Sequence, residues 1–251
     1  MILLKQEKII ALKARKVGGT SFEIALSKYA NSDSIITPIA DDDEKLRKEL
    51  GFHGPQNYTY TKEEFNEIPL RFKLSMLFNK KKRFKFYNHM PASLLKERLN
   101  EKVWSDYLKI AIIRNPFDYM VSSYFWESKT KKKKIDLTFE DYVLKKKDKV
   151  KANQRIYKID NKNIIDHMIR YDKLDQDIRD LENKYKSLNG LSNTFQNLST
   201  KAHYRPKKAT AQEMFKNAPE ALNFVLEQCK EDIEKYNFDI PKSNWYVMIE
   251  I

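Results

Sequence analysis

Two adjacent glycines constrain the architecture of this chain more than any other short segment. Gly18-Gly19 stand between Lys8-Ile-Ile-Ala-Leu12, a run rich in β-branched residues, and Ser21–Tyr29, whose apolar residues recur at helical spacing. The order predicted is strand, tight turn, helix. Glycine has no Cβ, so the backbone there can fold sharply and approach an anion. The helix that follows offers its free N–H groups and the positive end of its dipole. The segment Lys13-Ala-Arg15-Lys16-Val17-Gly18-Gly19-Thr20-Ser21 therefore reads as a loop for a phosphate or sulfate, with the Thr20 and Ser21 hydroxyls as further donors. It is equally compatible with a plain strand–helix connection. A nucleoside-triphosphate loop would place Lys after its last glycine and a hydroxyl for Mg²⁺. Here Lys16 precedes the glycines, so no metal is expected at the loop.

Further strands are expected at Arg83–Tyr87, Leu108–Ile113 and Ile164–Tyr171, alternating with helices. The helices are expected at 61–78, 92–99, 117–126, 174–188 and 219–236. Alternation of this kind predicts an α/β fold whose central parallel sheet carries helices on both faces, a P-loop-like three-layer sandwich. Ligands bind such sheets at the carboxyl ends of their strands. With 5 Gly and 8 Pro there is no flexible linker, and a single domain over 1–251 is expected.

At the end of the Leu108–Ile113 strand stands Arg114-Asn115-Pro116, with Ser122 eight residues beyond the arginine, about two helical turns on. A guanidinium fork and a hydroxyl can clamp a terminal phosphate. The alternative is an ordinary Arg114–Asp118 ion pair.

The chain carries 48 Lys+Arg against 35 Asp+Glu, a net charge of +13. Between Lys80 and Lys151 lie 20 cations and 9 acids, so 20 − 9 = +11 of that excess sits in one stretch. It contains Lys80–Lys82 with Arg83, Lys131–Lys134, expected as a loop, and Lys145–Lys147. Such a field attracts polyanions: a multiply charged nucleotide, an anionic glycan or nucleic acid. No apolar window reaches the ~18 residues of a membrane span. The first residues, Met1-Ile-Leu-Leu-Lys5, turn charged too early for a secretory signal. Cys229 is alone, which excludes an intramolecular disulfide and a cysteine-based zinc site. A soluble, cytoplasmic protein is expected.

The Lys16-Val-Gly-Gly-Thr-Ser21 loop and the Arg114-Asn-Pro…Ser122 element together resemble the PAPS-dependent sulfotransferases, in which these motifs stand at the same spacing. Ile35-Ile-Thr-Pro38, Pro55-Gln-Asn-Tyr58, Asn88-His-Met-Pro-Ala92, Tyr171-Asp-Lys-Leu174 and His203-Tyr-Arg-Pro206 look like segments of the bacterial, glycan-type branch of that family. The likeness runs from about Lys8 to Phe238. Two positions depart from the pattern: Arg15 stands where many members have Pro, and Val17 where a hydroxyl residue is commoner.

The resemblance implies transfer of a sulfuryl group from 3′-phosphoadenosine 5′-phosphosulfate (PAPS) to an acceptor hydroxyl or amine. Arg15 through Ser21 (Arg15, Lys16, Val17, Gly18, Gly19, Thr20, Ser21) would hold the 5′-phosphosulfate, and Arg114 and Ser122 the 3′-phosphate, with Arg205 as a second cation there. Lys16 would stabilise the leaving phosphate oxygen. A neutral histidine suits the general base, and His89 is the candidate, although it could equally cap the helix at Pro91. His53 is the runner-up, His167 reads as structural, and His203 belongs to a late loop. Gln56, Asn57 and Tyr58 could line an acceptor pocket. The acceptor is unassigned, a carbohydrate being one class. The competing functions are a basic nucleic-acid-binding protein and a P-loop nucleotide kinase.

Overall fold

The computed structural model describes residues 1–78, 83–130, 136–198 and 205–243, the Ser75 side chain apart. Lys80–Lys82, Lys131–Lys134 and His203 lie outside the described residues. The chain divides into two compact units, Met1–Ile112 with Arg155–Ser199, and Ile113–Gln154 with Thr200–Ile251.

The strands are β1 (Ile2–Leu4), β2 (Ile9–Leu12), β3 (Ile35–Ile36), β4 (Leu108–Ile113), β5 (Lys158–Ile159), β6 (Lys162–Asn163) and β7 (His167–Arg170). In the first unit a mixed sheet runs in the order β3-β1-β2-β4-β7. β2 and β4 are parallel, with Ile9 opposite Leu108 and Leu12 opposite Ala111. β1 is antiparallel both to β2, Leu4 facing Ile9, and to β3, Leu3 facing Ile35. The fold is therefore α/β as expected, with a sheet that is parallel at β2–β4 and antiparallel at β1, hence mixed where a parallel sheet was expected. The added antiparallel element is a hairpin, closed over Lys5–Lys8 with Lys8 at φ 54°. All of β1 and β2, and β4 up to Ile112 after its first residue, are buried at consecutive positions. Successive side chains of a strand point to opposite faces, so both faces of the sheet are withdrawn from solvent. β5 and β6 form a separate two-stranded ribbon.

Four further expectations need correction. The 61–78 helix is two helices, Lys62–Glu67 and Leu70–Phe78, because Ile68 turns extended before Pro69, where helix is disfavoured. Thr61 and Glu64 close a capping box at the start of the first. Arg83–Tyr87 is not a strand. Its carbonyls at Phe84 and Lys85 accept from the Arg98 guanidinium at 3.0 and 2.5 Å, and Phe86 N–H donates to Tyr58 O, so no ladder forms. The expected Ile164–Tyr171 strand shortens to β7, and the charged helix ends at Lys184.

The second unit is helical, built on Pro116–Thr130, Phe139–Lys145 and Pro219–Lys235. Its core is a chain of edge-to-face rings. Phe215 packs on Phe117 at 5.2 Å and on Phe139 at 4.9 Å, and Tyr124 on Phe139 at 5.6 Å. No helix among the described residues is long and apolar enough to cross a membrane.

Ile110 sits wholly buried at the middle of β4. Ile110→Ala should cost about 2–5 kcal/mol, read as a lowered urea midpoint with unchanged slope; a loss under 1 kcal/mol would contradict the close packing around β4.

Candidate functional site

The glycine turn opens the Gly19–Ser27 helix as expected. Gly18 is its N-cap, left-handed at φ 69°, and having no side chain it makes no cap hydrogen bond. The first backbone donors of this helix are thus left to other partners. Tyr171 and Leu174 pack against Gly18, 3.5 and 3.7 Å from where a Cβ would be. Val17 is buried in the core, which accounts for an apolar residue where the resembling family more often has a hydroxyl. Arg15 and Gly18 are exposed, Lys16 and Thr20 half-buried, and Gly19 and Ser21 buried.

Beneath the turn lies a charge pair that the sequence analysis did not single out. Lys13 Nζ meets Glu23 Oε2 at 2.6 Å, both side chains being almost fully buried. The other Glu23 oxygen accepts from the Met1 ammonium at 2.9 Å, which also reaches Thr37 Oγ1 at 2.6 Å. Burial alone would push the Glu23 carboxyl up; the Met1 ammonium and Lys13 outweigh it and hold the pKa at about 2. A signal was present in the sequence: Glu23 interrupts Phe22-Glu-Ile-Ala-Leu26, and a carboxylate inside an apolar helix stretch requires a partner.

His89 belongs to the same cluster. Its Nδ1 lies 3.0 Å from Lys13 O. A carbonyl can only accept, so Nδ1 carries the proton and Nε2 keeps its lone pair. Burial, then the charge of Arg15, push the imidazole pKa down to about 3, against the pull of the Lys13 carbonyl. His89 is therefore neutral at ordinary pH, in the tautomer a base needs. It does not cap the following helix, whose N-cap Pro91 has no side-chain bond.

Both residues assigned catalytic roles from the sequence have left-handed backbones, Lys16 at φ 59° and His89 at φ 60°. Among the described residues, four of the other five such non-glycine positions are Asn or Asp, which adopt this region readily, and the fifth is Lys8 of the hairpin.

In the second unit Arg114 Nε donates to Asp118 Oδ2 at 2.6 Å. Arg205 donates to the other Asp118 oxygen and to Ala209 O. Of the two alternatives for Arg114, the structure shows the Arg114–Asp118 ion pair, within a cluster of two guanidiniums on one carboxylate with a net charge of +1. Burial raises the Asp118 pKa, but Arg114 and Arg205 hold it below the ordinary range. Asp118 and Ser122 are four residues apart on the Pro116–Thr130 helix, hence on the same face. Asn115 caps that helix, its Oδ1 accepting from Phe117 N at 2.9 Å.

The remaining candidates lie elsewhere or serve the fold. His53 is exposed in a loop, and His167 is half-buried in β7. Gln56 and Asn57 spend their side-chain amides on the carbonyls of Asn31, Ser32 and Ser34. Cys229 is buried, as expected of a lone apolar thiol.

The chain matches no protein-family model, no curated protein and no solved structure with which it was compared.

Two outcomes follow from the buried cluster. Glu23→Gln leaves the Lys13 ammonium facing an amide and should destabilise the protein by about 3–5 kcal/mol at pH 7. The Glu23 pKa is lowered on folding, so its stabilisation is complete above pH ~4.5 and lost as pH falls towards 2. Denaturation across that range should show a steeper acid loss for the wild type than for Glu23→Gln; parallel curves would contradict the pairing. The His89 ring resonances should not titrate between pH 4.5 and 8 in NMR spectra, as a pKa near 3 requires.

Proposed function

We propose that this chain is a PAPS-dependent sulfotransferase on a P-loop-like α/β sandwich, acting on an acceptor hydroxyl or amine, a carbohydrate being one class of acceptor. The observation that carries this reading is the left-handed Lys16–Gly18 turn opening an uncapped helix at the carboxyl end of β2. Backbone donors and Lys16 side by side suit a sulfated phosphate better than a metal-bound triphosphate. The parallel partner of β2 is β4, which ends one residue before Arg114.

In this reading Arg15–Ser21 hold the 5′-phosphosulfate, mainly through backbone N–H groups, since Val17 offers no hydroxyl. Arg114, Ser122 and Arg205 take the 3′-phosphate. Asp118 keeps the two guanidiniums in place and neutralises one of the two charges, leaving the other for an anion. In the transfer, the acceptor oxygen forms a bond to sulfur as the bond from sulfur to the phosphate oxygen breaks. Lys16 stabilises the charge growing on that phosphate oxygen. The acceptor proton passes to His89 Nε2 while Nδ1–H stays on Lys13 O. A base whose pKa is near 3 is weak in the free enzyme. An anion beside Arg15 would cancel part of the charge that depresses it, so the donor itself strengthens the base.

Adenosine 3′,5′-bisphosphate should therefore raise the melting temperature, by the equivalent of about 2.7 kcal/mol at 100 times its dissociation constant. ATP with Mg²⁺ should do so far less. Lys16→Ala should abolish sulfuryl transfer while keeping the thermal shift, and Arg114→Ala should mainly lose the shift. Stabilisation by ATP–Mg²⁺ alone, or an unaffected Lys16→Ala enzyme, would refute the assignment.

A further inference from the structure

The Leu70–Phe78 helix is apolar on two sides. Met76 is buried and Phe72, four residues earlier, is half-buried, so this pair faces inward. The opposite side carries Leu70, Leu74, Leu77 and Phe78, exposed to 72, 52, 65 and 91%. At 3.6 residues per turn these four span an arc of about 100°, a full docking stripe. No described residue covers it. Phe65 on the preceding Lys62–Glu67 helix is also exposed.

The sequence from the stripe onward is predominantly cationic, while Glu63, Glu64 and Glu67 precede it and Lys85 pairs with Glu64. Between Glu67 and Glu97 the sequence has eight cations and no acid: Arg71, Lys73, Lys80, Lys81, Lys82, Arg83, Lys85 and Lys96. Arg71 is exposed on the helix itself, and Lys73 lies 5.1 Å from the Phe65 ring centre. Arg83 donates from Nε to Met76 O at 2.9 Å and from Nη2 to Leu77 O at 3.4 Å. A guanidinium is thereby fixed beside the exposed Leu77.

We infer that this helix is a membrane-surface anchor, its leucine stripe inserting among the acyl chains of an anionic bilayer while the flanking cations meet the headgroups. An in-plane helix binds by apolar area and by attraction to anionic lipid together, and both are present here. Two other occupants of an apolar stripe are disfavoured. A two-fold dimer through this face would bring two copies of the Arg71 and Arg83 charges to one interface. Nucleic acid would meet the cations but offers nothing to aliphatic leucines, since its bases stack on aromatic rings. The inference is independent of the sulfotransferase reading.

The test is co-sedimentation of the full chain with phosphatidylcholine vesicles, with and without phosphatidylserine, at low and high salt. Binding is expected to the phosphatidylserine vesicles and to weaken at high salt. Leu74→Asp combined with Leu77→Asp should reduce the partition by about tenfold or more. Both side chains are exposed, so the variant should keep the wild-type melting temperature. In a separate variant, Leu74→Trp should give a blue-shifted emission on vesicle addition, the sign of insertion. Absence of pelleting, binding undiminished in the double variant, or an unshifted Trp emission would each overturn the proposal. So would a dimer that the double variant splits in the absence of vesicles.

Discussion

The Lys13–Glu23 ion pair holds the centre of the first unit. Lys13 leaves β2 just before the glycine turn, and Glu23 sits in the first helix just after it, so the pair ties together both sides of the loop. The Lys13 stem crosses Gly19, whose Cβ would come within 3.2 Å of Lys13 Cγ. Glycine at that position leaves the stem room to lie flat. Lys13 O in turn anchors the His89 ring. One residue therefore joins the turn, the helix and the imidazole. A buried ion pair adds little net stability over an apolar pair of the same shape, but losing one partner is costly. Its value lies in fixing one arrangement of the loop.

The same pair governs the electrostatics. Lys13 and Arg15 gather positive charge beneath and beside the turn, while the Glu23 carboxylate already faces Lys13 and the Met1 ammonium. The imidazole responds by staying neutral, burial being the larger cause and Arg15 the next. The second unit solves a related problem differently. There Asp118 serves two guanidiniums at once, so the arginines are held in place without being fully neutralised. In both clusters a carboxylate orients cations and leaves excess positive charge.

Local pattern carried much of this architecture. The turn after β2, the six residues of β4, and the starts of the helices at Ala92 and Pro219 follow from β-branched runs, glycine and proline positions, and helical spacing. What depended on distant partners was not legible. β1 and β3 have three and two residues, and they become strands only by pairing with each other and with β2. Arg83–Tyr87 has the composition of a strand, yet its carbonyls are taken by Arg98 from the next helix. The glycine loop and Arg114 stand out in the sequence by their motifs, and His89 by the family resemblance. Lys13 and Glu23 were passed over because each looks ordinary until burial pairs them.

Lys16 and His89 share a left-handed backbone, at φ 59° and 60°. A left-handed conformation costs a non-glycine residue about 1–2 kcal/mol. Glycine or asparagine would hold either turn at lower cost, as asparagine does at Asn57, Asn161 and Asn237. Strain of this kind persists where the surroundings impose it, and here they do: Gly18 packs against Tyr171 and Leu174, and the His89 ring is bound to a carbonyl whose own side chain is locked on Glu23. In the proposed reaction Lys16 would meet an anion at the helix start, and His89 would accept a proton at Nε2.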